Sequence, residues 1–258
     1  MRKNLDDQLQ RLNNSLILMG SLCEENLDSV FKAFKERDRE LALNVYRADY
    51  DIDTKSRDIE TLCLNIILHE QPVATDLLVV SATLKMVADL ERIGNQASDI
   101  AQIVMSFDYN HQGEDVELLH SMAKEATSMV KLSIDAFVRR DIDLAKSVIR
   151  QDKAVDEYFG MIRKSLILKA RTCEKDTELS LDVIMMAKYL ERIGDHACNI
   201  AKWVTYVVTG KITTVGDLSL WFIASKMIPI SARLNSTPYS LWIWKRRCSL
   251  MVPVSLPQ

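Results

Sequence analysis

Four pairs of side chains place two oxygen donors one helical turn apart: Asp49 and Asp53, Glu91 and Asn95, Asp152 and Asp156, Glu191 and Asp195. Residues at i and i+4 share a helix face, with Cβ atoms about 5–6 Å apart. Two carboxylates held that way repel by about 0.2–0.5 kcal/mol. A cation between them reverses the sign. Hard oxygen donors suit magnesium, manganese or iron, and zinc also accepts carboxylates. The spacing therefore points to divalent or trivalent metal ions held by these eight residues. Asn95 can ligate through its amide oxygen but carries no charge, so the first site is expected to bind more weakly. The plainer reading is that acidic pairs sit on solvated helix faces with no metal. The arginines after the glutamates, Arg92 and Arg192, then only neutralise neighbouring acids.

The pairs are not independent of one another. Leu90-Glu91-Arg92-Ile93-Gly94 recurs unchanged as Leu190-Glu191-Arg192-Ile193-Gly194, and nine of fifteen positions match over 90–104 and 190–204. Upstream, Asp38, Leu41, Ala42, Val45, Asp49 and Asp53 recur as Asp141, Leu144, Ala145, Val148, Asp152 and Asp156. The offset falls from 103 to 100, which puts a three-residue loss near Glu70-Gln71-Pro72. The chain is a duplication, and a repeat of this length is a structural unit. The same pair types recur at the same places, which argues for a shared role.

The elements that must position these residues are helical. Leu5, Leu9, Leu12, Leu16, Met19, Cys23, Leu27, Val30 and Phe34 step by three or four and form one apolar stripe. Val79, Met86, Leu90, Ile93, Ala97, Ile100 and Val104 form a second, repeated from Val183 to Val204. The pattern predicts six helices, at about 4–36, 39–69, 73–106, 115–139, 142–172 and 177–209. Asp38 and Asp141 are the expected N-caps, and Pro72 is expected just before the start of the third helix. Short connections make neighbours antiparallel. The expected architecture is all-α, two tandem up-down three-helix bundles related by pseudo-twofold symmetry. They are assigned to 1–110 and 111–212, with an atypical tail over 213–258. Gly94 and Gly194 cost up to about 1 kcal/mol each inside a helix. Close helix packing is the expected reason, ahead of room for a ligand.

Other features narrow the function. A net charge of −3 makes nucleic acid an unlikely partner. Met1-Arg2-Lys3 runs directly into an amphipathic helix, so no leader is expected, and no apolar run reaches the span of a membrane. The five cysteines are scattered without a CxxC pair and read as reduced, buried apolar side chains. No phosphate-cradling glycine loop is present. Glu117 and His120 match one ExxH element of the di-iron bundles, which need two. His196 reads as a hydrogen-bonded side chain rather than a ligand. The tail holds four of the five prolines and three of the four tryptophans, with one acid against five bases. It reads as an extension without an evolved role, ahead of contact with an anionic membrane.

Asp89-Leu90-Glu91-Arg92-Ile93-Gly94-Asn95-Gln96-Ala97 and Tyr189-Leu190-Glu191-Arg192-Ile193-Gly194-Asp195-His196-Ala197 resemble the twin signatures of the PhoU family. Gln71-Pro72-Val73-Ala74-Thr75-Asp76-Leu77 is similar to that family as well. The resemblance covers about residues 3–211. It implies two three-helix bundles with multinuclear metal sites at the pairs above, Asn95 being a departure. It implies a cytoplasmic homodimer, peripheral at the inner membrane face. Such a protein couples the ATPase subunit of a Pst-type phosphate transporter to a PhoR-type histidine kinase, and holds the phosphate-starvation response off. The rival readings are a carboxylate-bridged di-metal oxidase and a metal-free helical adaptor.

Overall fold

The computed structural model describes residues 2–109, 114–172 and 177–211. Six helices follow one another: α1 (Arg2–Glu36), α2 (Arg39–Asn65), α3 (Thr75–Ser106), α4 (Glu114–Arg139), α5 (Ile142–Thr172) and α6 (Thr177–Thr209). No strand occurs among the described residues. The first three helices and the last three are the two copies of the repeat. The tail and its expected role lie outside the described residues.

Each apolar stripe becomes core. Leu12, Leu16, Met19, Cys23, Leu27 and Val30 of α1 are all buried, as are Met86, Leu90, Ile93, Ala97, Ile100 and Val104 of α3. Met186, Leu190, Ile193, Ala197, Ile200 and Val204 of α6 repeat the pattern. Buried residues of both repeats join in one cluster. Residues 1–213 accordingly form one compact unit, with α3 packed against α6 and α1 against α4. Cys23, Cys63 and Cys198 are free thiols inside this core, and burial pushes each up to about 12. They stay protonated and unreactive.

The turn between the first two helices of each repeat is built twice in the same way. Asp38 Oδ1 accepts from the backbone N–H of Glu40 and Leu41, both at 3.0 Å. Asp141 Oδ1 accepts from Asp143 at 2.9 Å and Leu144 at 3.0 Å. These are the expected N-caps. The residue before each cap turns left-handed: Arg37 has φ 61° and Arg140 has φ 52°. That geometry frees the next backbone N–H to reach back, Asp38 to the carbonyl of Ala33 and Asp141 to that of Ala136.

The second connection departs from expectation. α2 ends at Asn65, and residues Ile66–Glu70 continue as a π-helical turn. Pro72 precedes α3 as expected, but α3 starts at Thr75 rather than 73. The pyrrolidine ring bars the preceding residue from the right-handed helical region. Gln71 takes φ 47°, ψ 58° instead, and the chain needs Val73 and Ala74 to turn back. Asn4 Nδ2 pins this connector by donating to Glu70 Oε1 at 2.5 Å.

A left-handed conformation costs a non-glycine residue about 1–2 kcal/mol. Arg140→Gly should therefore raise unfolding free energy by about 0.5–1 kcal/mol, part of the gain being offset by glycine entropy. Asp141→Ala should lower it by about 1 kcal/mol. Urea melts of the two variants check both signs.

Candidate metal centres

The register of the apolar stripes decides where the acids go. In repeat one, Asp49 and Asp53 leave α2 on the side that meets Glu91, Asn95 and Asp99 of α3. The charges acting on Asp49 are all carboxylates: Asp53, Asp99 and Glu91. Burial and those neighbours hold its carboxyl above the usual range. In repeat two, Asp152 feels Asp156 and Asp195, and Asp195 feels Glu191 and Asp156. Burial pushes Asp152 and Asp195 upward first, and the like charges add to it. The eight residues thus gather in two groups, one per repeat, each between the second and third helices. Asp49, Asp53, Glu91, Asp152 and Glu191 are half-buried, whereas Asn95, Asp156 and Asp195 are exposed.

The two groups are furnished differently. With its amide oriented to satisfy both atoms, Asn95 donates to Asp49 Oδ1 at 3.0 Å and to the Glu91 carbonyl at 3.1 Å. Ser56 Oγ donates to Glu91 Oε2 at 2.5 Å. Neutral donors therefore occupy part of the first group. In the second, the Lys188 ammonium pairs with Glu191, and Lys202 and His196 also act on the aspartates. As the side chains stand, no group of three or more His, Cys, Asp or Glu among the described residues is arranged to hold a metal ion. Ligation in either group needs the carboxylates to rotate toward a common point.

The glycines report the available room. A Cβ on Gly94 would lie 2.7 Å from Ile52 Cδ1 and 3.0 Å from its Cγ2. Close packing accounts for Gly94. Repeat two has the smaller Val155 at the position of Ile52. A Cβ on Gly194 would lie 3.5 Å from Val155 and 3.1 Å from Asp152 Oδ1. Close packing therefore accounts for Gly194 too, but there the crowded neighbour is a candidate ligand. The second group, with four carboxylates, fits a hard cation better than the first.

Asp99 was missed by pairwise spacing. Along α3 the order is Glu91, Asn95, Asp99; along α6 it is Glu191, Asp195, Asn199. Acid and amide have exchanged places across one turn. Extending the search to i+8 exposes the exchange. Asp99 also faces repeat two, where Tyr189 hydrogen-bonds its carboxylate and Arg192 acts on it. The symmetry-related contact joins Asp89 to His196 Nδ1 at 2.9 Å and to Asn199 Nδ2 at 3.4 Å. His196 is a hydrogen-bonded side chain, as its sequence context suggests. His120, from the ExxH element, packs 5.2 Å from the Phe34 ring, and burial lowers its pKa, with Glu117 and Lys35 as its charged neighbours.

Comparison with known proteins assigns this arrangement. A family model described as the PhoU domain matches twice, at residues 16–104 and 119–204, once per three-helix repeat. The chain belongs to the PhoU family. It is 32% identical over 218 residues to a phosphate-specific transport system accessory protein PhoU homolog of Clostridium acetobutylicum, covering 84% of this chain and 99% of the relative. It is 32% identical to the Escherichia coli PhoU accessory protein, covering 79% of this chain and 85% of that one. The crystal structure of PhoU from Pseudomonas aeruginosa superposes with a TM-score of 0.77 at 32% identity, over 80% of this chain and 99% of that chain. PhoU from Streptococcus pneumoniae superposes with a TM-score of 0.75 at 27% identity, over 82% and 100%. Both PhoU repeats lie inside the six-helix unit, and all eight acidic-pair residues lie inside the matched segments.

Gly94→Ala should destabilise by about 1–3 kcal/mol through overpacking against Ile52. Gly194→Ala should cost less in metal-free protein, and thermal melts compare the two. The raised pKa values of Asp49, Asp152 and Asp195 also set a pH dependence. These groups bind protons more tightly folded than unfolded. Their contribution to stability is complete below the ordinary aspartate value of 3.8 and is lost as pH rises through the folded values. His120, lowered from 6.5, acts in the opposite sense below that value. In chelator, the change in unfolding free energy from about pH 4.5 to about pH 7.5 should therefore shift in Asp195→Asn, whose loss with rising pH is smaller than wild type. Equal changes in the two proteins would remove the acids from the account.

Proposed function

We propose that this chain is a non-enzymatic regulator of phosphate uptake. It docks on a Pst-type phosphate transporter through the ATPase subunit and on a PhoR-type sensor kinase. When phosphate is plentiful it restrains uptake and keeps the starvation response off. It works as a cytoplasmic homodimer, peripheral to the inner membrane face. The observation that carries this reading is the match over both repeats to PhoU accessory proteins of phosphate-specific transport systems. Among the described residues no helix is long and apolar enough to cross a membrane, so attachment to a transporter would run through protein contact.

The carboxylate groups take a structural or regulatory metal in this reading. Asp152, Asp156, Glu191 and Asp195 hold it in repeat two. Asp49, Asp53, Glu91 and Asn95 hold it more weakly in repeat one, because three carboxylates offer less charge than four. The cation would offset the burial and the added repulsion that raise the aspartate pKa values. Lys188 must release Glu191 when the metal enters.

Deleting the chain should derepress starvation genes in phosphate-rich medium, read as alkaline phosphatase activity. Unchanged repression in the deletion strain would end the regulatory reading. For the metal, Mn²⁺ at a hundredfold excess over its dissociation constant should stabilise the protein by about 2.7 kcal/mol. Glu191→Ala with Asp195→Ala should abolish most of that gain, whereas Asp49→Ala with Asp53→Ala should abolish less. Elemental analysis showing no bound metal, with melting unchanged by chelator, would favour the metal-free adaptor.

A further inference from the structure

The duplication supplies an internal control for exposed apolar residues. A position that is apolar in one copy and charged in the other is not required by the shared fold. On α2, Tyr46, Tyr50 and Leu64 are 45%, 73% and 52% exposed. Tyr46 lies three residues before Asp49, and Tyr50 lies three before Asp53. The two rings and the two carboxylates therefore form one four-membered patch on the helix surface. From Tyr46 to Leu64 the stripe runs about 27 Å at roughly 1.5 Å per residue. In repeat two the equivalent positions hold Ile149, Lys153 and Ile167. The most exposed tyrosine is thus replaced by a base.

Charge differs in the same way. The charges acting on Asp49 are carboxylates alone, whereas Lys188 and Lys202 stand among the acids of repeat two. Two bases flank the stripe: Arg57, a turn beyond Asp53 toward Leu64, and Arg47, three residues before Tyr50 on the edge away from Asp49. The edge of the stripe that carries Asp49 and Asp53 is left with two exposed aromatic rings and no base among the charges acting on Asp49. A guanidinium or ammonium group is attracted both to a tyrosine face and to carboxylates. Tyrosine and arginine are also the side chains that dominate binding energy at protein interfaces.

We propose that the α2 face of repeat one is the docking surface for a partner segment that carries a lysine or arginine next to apolar side chains. Its cation enters between Tyr46 and Tyr50, over Asp49 and Asp53. Its apolar side chains lie along the stripe toward Leu64. Repeat two is not a second copy of this surface, because Lys153 repels the incoming cation. The two repeats thereby divide the work: repeat two offers the better metal group, and repeat one offers partner contact. This rests on the reading that the chain docks on a phosphate transporter.

The test uses the full chain and the detergent-solubilised phosphate transporter, including its ATPase subunit. Affinity is measured at low and high salt. Tyr50→Lys copies the residue that repeat two carries, so the fold tolerates it. This variant and the double variant Tyr46→Ser with Tyr50→Ser should each weaken binding at least about tenfold. Ile149→Ser should leave it within about twofold, and wild-type affinity should fall as salt rises. Wild-type binding that both tyrosine variants retain, with their melting unchanged, overturns the docking surface and leaves the regulatory reading standing. Absence of wild-type binding overturns both. If Tyr50→Lys instead converts dimer to monomer in sedimentation while transporter binding persists, the face joins two copies of the chain and the proposal is wrong.

Discussion

The constraint on which this molecule depends is the close approach of the second and third helices in each repeat. Their facing stripes are buried, and a glycine of the third helix lies against side chains of the second. Once Gly94 lies against Ile52, the rest of the register follows. Asp49 and Asp53 must then face Glu91, whatever repulsion results. Burial of apolar side chains is worth about 1.5–3 kcal/mol each, and the repulsion of an exposed acidic pair is a few tenths. The core wins, and the acids are carried into one another's field. Burial first, and those like charges second, hold the pKa values of Asp49, Asp152 and Asp195 up.

Duplication reproduced the constraint and then let its consequences diverge. Repeat two has Val155 where repeat one has Ile52, and the nearest neighbour of its glycine is the Asp152 carboxylate instead. Repeat one has Asn95 where repeat two has Asp195, and a donor takes the place of an acid. The missing carboxylate of repeat one reappears at Asp99, a turn further along, where Tyr189 of repeat two engages it. The junction of α3 and α6 shows the same drift. Symmetry-equivalent positions hold Asp89 against Asn199 on one side and Tyr189 against Asp99 on the other. The backbone symmetry survives because buried positions on α3 and α6 stay apolar. Side chains at the rim of the core are free to change.

Some local features are shared by both copies with little change. Arg37-Asp38 and Arg140-Asp141 build the same left-handed stop and aspartate cap. Satisfying the free amides of a new helix outweighs the strain of one left-handed residue, so the arrangement persisted in both. The connector after α2 has a different cause. Pro72 forces Gln71 out of the helical region, and the chain spends Val73 and Ala74 on the way back.

Periodicity alone determined the six helices, the buried stripes, the two repeats and the aspartate caps, because helix-period patterning and local amide satisfaction are written in neighbouring residues. The i,i+4 spacing also determined that each pair of acids shares a face. It did not show which faces meet, how much room lies between them or what neutralises them. Asp99 escaped notice because its partner contacts cross from α3 to α6. The roles of Gly94 and Gly194 looked identical in sequence, yet one meets a core side chain and the other a carboxylate. Tyr46 and Tyr50 read as ordinary helix positions until exposure was known. Such differences depend on which helix packs against which, and on volumes a residue or two away in space. Only the tertiary structure decides those, since side chains far apart in the chain become neighbours only when the helices pack.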